Sequence, residues 1–82
     1  MQITIERMNG ENFQLVVEEE ETVATVKMRI SENTFIDPYE QRLIFQEQLL
    51  VEYETISFYN IQEGSVIYLS HWSTPEARKE VW

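Results

Sequence analysis

Gln41-Arg42-Leu43-Ile44-Phe45 reads as a strand: it is β-branched or aromatic at two of five places and enters just after Pro38, which ends any preceding helix. Side chains alternate faces along a strand, so Gln41, Leu43 and Phe45 share one side while Arg42 and Ile44 share the other. With Leu43 in the core, Ile44 stands on the outer face beside a charged residue. One apolar side chain at a surface is ordinary, so the meaning of Ile44 depends on what surrounds it.

Working outward, residues 1–7 alternate Met1, Ile3 and Ile5 against Gln2, Thr4 and Glu6, the pattern of a half-buried strand. Asn9-Gly10 signals a hairpin, because both residues tolerate positive φ. The next strand turns Phe13, Leu15 and Val17 inward and Gln14 and Glu18 outward. The acidic run at 18–21 reads as a solvated loop entering a helix, where carboxylates gain from the helix dipole. Thr22 is the N-cap; Val23, Val26 and Ile30 recur on one helical face, with Met28 and Arg29 elsewhere. The helix fades over residues 31–34, where Asn33 is the residue suited to a left-handed cap. Beyond the central strand, Leu49 and Leu50 form a short strand, and residues 52–57 form a turn region without glycine. Tyr59-Asn60 is a second turn, and Gly64 supplies the positive φ that leads into a strand at 66–70. There Ile67 and Leu69 point inward, Val66 and Tyr68 outward. The order predicts an α+β fold, a mixed sheet of about five strands packed on one helix.

Composition narrows the chemistry. A chain of 82 residues holds one domain, and 43% hydrophobic residues suffice for its core. With no cysteine and a single histidine, His71, neither a thiolate nor a histidine metal centre is expected, and no cofactor is predicted. Six Lys plus Arg against fifteen Asp plus Glu leave a net charge of −9, which argues against phosphate-backbone binding and hence against nucleic acid as a partner. No apolar run approaches the roughly 18 residues of a membrane span. The N-terminus alternates and lacks a basic start, so neither membrane nor secretion is expected, and the location is cytoplasmic or nuclear. His71 is read as facing solvent. Scattered glutamates do not make a paired-carboxylate site without a cleft and a perturbed pKa, so an enzyme is not expected.

Met1-Gln2-Ile3, Gly10, Thr22, Val26-Lys27, Ile30, the five residues at 41–45, Leu50 and Tyr59-Asn60-Ile61-Gln62 together resemble ubiquitin, in register and without a gap to about His71. The resemblance implies a β-grasp fold for a ubiquitin-like domain at 1–72, with 73–82 a linker or the start of a following helix. It also implies a structural salt bridge from Lys27, for which Glu52 is the partner here.

The family's binding surface is an apolar patch on the outer sheet face. Carried over residue by residue, that surface comprises Met8, Arg42, Ile44, Gln48, Leu49, Tyr68, Ser70 and Trp72. Ile44 and Arg42 are unchanged. Met8 stands for a leucine, Tyr68 for a histidine, Ser70 for a valine, Gln48 for a lysine, Trp72 for an arginine and, in the adjoining turn, Glu47 for a glycine. The patch is thus more aromatic and less cationic than the family pattern; Trp72 fits packing on the sheet edge as well as partner contact. The resemblance implies partners that recognise the ubiquitin fold: proteasome subunits, ubiquitin-binding motifs and segregase-type ATPases.

Modifiers of the family end in Gly-Gly after the last strand, whereas this chain continues Ser73-Thr74-Pro75-Glu76. Most of the family's linkage lysines are also replaced, by Glu6, Glu11, Arg29, Asn33, Gln48 and Glu63. A non-conjugated docking domain, monomeric when isolated, is therefore the expectation. The alternatives are a divergent modifier and an intramolecular regulatory or dimerisation domain. The segment after Trp72 has helix-start residues but is too short to hold alone, so the polypeptide is expected to continue past Trp82. The turns at Gln46-Glu47 and Glu52-Tyr53 lack the family's glycine, so each adopts another turn type or carries strain.

Overall fold

The computed structural model describes residues 1–71. Five strands form one mixed sheet: β1 (Gln2–Arg7), β2 (Asn12–Val16), β3 (Gln41–Phe45), β4 (Gln48–Leu49) and β5 (Val66–His71), in the order β2-β1-β5-β3-β4. β1 and β5 run parallel at the centre, and the other neighbours are antiparallel. The one α-helix among the described residues, α1 (Val23–Thr34), supplies the crossover side and buries Val23, Val26 and Ile30 completely. Ile3, Ile5, Leu43, Ile67 and Leu69 meet them from the inner face of the sheet. Each such side chain contributes about 1.5–3 kcal/mol by leaving water. The predicted α+β, β-grasp arrangement of about five strands on one helix is what the chain forms.

Helix start and sheet return are coupled. Thr22 accepts the Thr25 N–H at 3.2 Å, as the cap reading requires. The Val23 and Ala24 N–H groups, without partners inside the helix, donate to the Glu54 and Glu52 carbonyls at 2.9 and 3.0 Å. That docks the 52–57 turn region on the first turn of α1. Lys27, 4% exposed, reaches Glu52 at 3.2 Å. A backbone hydrogen bond at Glu52 and then the hydrogen bond from Lys27 hold the Glu52 carboxyl below the usual carboxylate range, against an opposing effect of burial, and the charge of Lys27 adds a lesser pull in the same direction.

Three local details differ from the sequence reading, and one alternative that it left open is decided. The helix runs one residue past Asn33, and the left-handed cap is Phe35, at φ 61°. Thr34 explains it: its hydroxyl donates to the Ile30 carbonyl at 2.9 Å and accepts the Ile36 N–H at 3.2 Å, while Asn33 is turned back onto the Arg29 carbonyl. In the first hairpin only Gly10 takes positive φ, +91°. Gly10 N–H donates to the Arg7 carbonyl and Arg7 N–H to the Glu11 carbonyl, giving a three-residue loop instead of a two-residue one. Asn9 serves by its side chain, accepting the Glu11 N–H at 2.9 Å. Leu50 lies just past β4 and is buried to 2%, leaving Gln48 and Leu49 as the strand. The two glycine-free turns separate: Gln46 and Glu47 both sit at positive φ, 52° and 65°, whereas Glu52 and Tyr53 do not.

Candidate functional site

In β3, Gln41, Leu43 and Phe45 are buried and Arg42 and Ile44 are half-buried, so Ile44 faces outward. Gln41 has a structural task, donating to the Lys27 and Ile36 carbonyls at 2.8 and 3.1 Å. The register decides what Ile44 meets. It lies opposite Tyr68 on β5 and opposite Leu49 on β4, and Tyr68 in turn lies beside Glu6 on β1. Residues directly opposite share a face, so Leu49, Ile44, Tyr68 and Glu6 form one row across four strands.

Tyr68 and Leu49 are 48% and 49% exposed, so this row presents apolar surface to solvent. Val66, two residues before Tyr68 and therefore on the same face, is also exposed. It lengthens the patch along β5, and its outward place in the alternation was the signal for it. Arg42 and Ser70 lie opposite each other one step further along β3 and β5, both half-buried. Gln48 is exposed at the start of β4. Met8 stands in the turn just beyond β1, at the margin of the face, and is 81% exposed. Trp72 lies outside the described residues.

The turn beside the patch is tight. Phe45 pairs with Gln48, so Gln46-Glu47 is a two-residue loop with both φ values positive, the type whose twist suits a hairpin. It carries the Glu47 carboxylate next to Gln48. With Glu6 on the opposite flank, the apolar row is bracketed by acids, and Arg42 brings a cation to this face.

His71 does not stand in solvent: it is half-buried, its Nε2 3.0 Å from Oε1 of Glu40. Glu21, from the acidic run, is bound by both carboxylate oxygens to Arg29 at 3.1 Å. Among the described residues no group of His, Cys, Asp or Glu is arranged to hold a metal ion, and no helix is long and apolar enough to cross a membrane. Two clefts lie away from the apolar row, one between the first hairpin and the end of α1, the other on the outer side of α1.

This fold, with an apolar outer face centred on β3, defines a ubiquitin-like domain. The chain belongs to the ubiquitin family, whose family model matches residues 3–71. It is 32% identical over 78 residues to large proline-rich protein bag6 of Xenopus tropicalis, covering 95% of this chain and 7% of that protein. It is 33% identical over 69 residues to ubiquitin-like protein 4A of Rattus norvegicus, covering 84% of this chain and 44% of the relative. Against NEDD8-like protein RUB3 of Arabidopsis thaliana it is 29% identical over 69 residues, covering 84% of this chain and 88% of the relative. The chain thus spans less than half of the bag6 and 4A proteins that it matches.

Proposed function

We propose that the chain is a non-conjugated docking domain that binds proteins recognising the ubiquitin fold: proteasome subunits, ubiquitin-binding motifs or segregase-type ATPases. The observation that carries this reading is the row Leu49–Ile44–Tyr68, apolar, contiguous across three strands and open to solvent. Contiguous exposed apolar surface is the mark of an interaction site, and a tyrosine beside an aliphatic centre is a favoured anchor composition. Ile44 is the centre, Tyr68, Leu49 and Met8 the apolar surround, and Arg42, Gln48 and Ser70 the polar rim, with Trp72 a further candidate. Its action makes and breaks no covalent bond. The domain, residues 1–72, works as a monomer in the cytoplasm or nucleus, without nucleic acid or membrane as partner, and residues 73–82 serve as a linker or as the start of a following helix. Matches within much longer relatives support a domain built into a larger protein.

A pull-down comparing wild type with Ile44→Ala tests the reading: proteins lost from the variant are the partners, and an unchanged set counts against it. A second reading, a divergent modifier, is favoured by the match along nearly the whole of a NEDD8-like protein. Thioester formation between an activating enzyme and any truncated form would establish that reading; its failure supports docking.

A further inference from the structure

The side of α1 turned away from the core carries a second apolar site. Ala24 and Met28 are one turn apart on the helix and exposed; Pro38 and Tyr39, in the 3-10 turn Pro38–Glu40, face them across a cleft of about 220 Å³. The Lys27–Glu52 pair closes the remaining wall. Met28 and Tyr39 are 62% and 90% exposed, so the fold makes little use of either side chain. The volume is below the several hundred cubic ångströms of a small-molecule pocket, and suits one large apolar side chain of a partner.

Charge selects that partner. Among the described residues Lys27 is the only cation lining the cleft, and it is buried and paired. Glu52 on the wall is matched by Lys27, while beyond the lining Glu32 follows one turn after Met28 and Asp37 and Glu40 flank Pro38-Tyr39 in sequence, Glu40 lying 3.0 Å from His71. An acidic segment would meet like charge here, and a basic one opposite charge. We propose that this cleft docks a protein segment presenting one large aliphatic or aromatic side chain flanked by lysine or arginine. Because α1 covers the inner face of the sheet and Ile44 lies on the outer face, both sites can be filled at once, which would make the domain a bridge between two partners.

The test is an isotope-labelled titration of the 82-residue chain with a synthetic peptide carrying a central Leu-Leu between lysines, at two ionic strengths. Expected are shifts centred on Ala24, Met28 and Tyr39, saturable, weaker at high salt, and reduced at least fivefold in affinity by Tyr39→Ser or Met28→Ser. A peptide with glutamates for the lysines should leave these signals unmoved. Both variants are at exposed positions, and their spectra before titration report the intact fold. The proposal is overturned if the shifts fall on Ile44 and Tyr68 instead, if the acidic peptide binds equally, or if both variants bind as wild type. Contacts from Trp82 to Met28 without peptide, assigning the cleft to the chain's own tail, would overturn it too. So would cleft signals that move with protein concentration, assigning it to a second copy.

Discussion

Ile44 and Tyr68 lie directly opposite each other on antiparallel β3 and β5, on the face of the sheet that α1 does not cover. Each is held by a buried neighbour, Leu43 and Leu69, on the other face of the same strand. The alternation that fills the core thus also sets the apolar pair outside.

Adjacent residues should therefore separate stability from binding. Leu43 is fully buried, and Leu43→Ala should cost about 2–5 kcal/mol, lowering Tm by some 4–8 °C for each kcal/mol in a domain of this size. Ile44→Ala should change Tm far less. Thermal melts of the two variants side by side check this.

Phe35 occupies a left-handed position at φ 61° while 91% exposed, so its side chain offers little packing in return for an unfavourable backbone. Phe35→Gly should stabilise the domain by about 0.5–1 kcal/mol, the relief of strain exceeding the added freedom of the unfolded chain. Denaturant unfolding should show a raised midpoint with an unchanged slope.

Glu52 sets an acid dependence. Its carboxyl titrates below the ordinary range when folded, so the unfolded chain takes up the proton first as pH falls. Its contribution is complete above the ordinary carboxylate range and is lost as pH drops through the lowered folded value. Glu52→Gln should flatten the acid limb of the stability curve, and should destabilise the domain at neutral pH by leaving the Lys27 ammonium buried without its anion. Unfolding measured from neutral pH down through the carboxylate range tests both.

The acids bracketing the patch predict a preference. An acidic helical ubiquitin-binding motif should bind more weakly here than to ubiquitin at matched salt, because Gln48 supplies no cation and Glu47 and Glu6 repel. Titration calorimetry at two salt concentrations gives the comparison; equal affinity would contradict it.

The order of elements along the chain, the helical face Val23–Val26–Ile30, the Thr22 cap and the outward place of Ile44 were legible in the sequence, because each follows from periodicity or from one residue's local chemistry. The Lys27–Glu52 bridge followed from the family resemblance. The left-handed cap at Phe35 was not legible: a bulky residue there is disfavoured locally, and it is the Thr34 hydroxyl, bonded on both sides, that carries the helix past Asn33. For Gln46-Glu47 the sequence left another turn type or strain open, and β3–β4 pairing decides it by imposing positive φ at both residues. In the site, the row Leu49–Ile44–Tyr68 needed the register, which alternation within one strand cannot supply. Trp72 lies outside the described residues, so its place in the site rests on sequence.

The most direct test is the affinity of wild type and Ile44→Ala for one partner recovered by pull-down, measured alongside their unfolding curves. The account predicts binding weaker by about 1–3 kcal/mol, roughly 5- to 150-fold, with the fold intact and wild-type chemical shift changes centred on Ile44, Tyr68 and Leu49. Undiminished binding by a folded Ile44→Ala, with shifts confined to other surfaces, would contradict it.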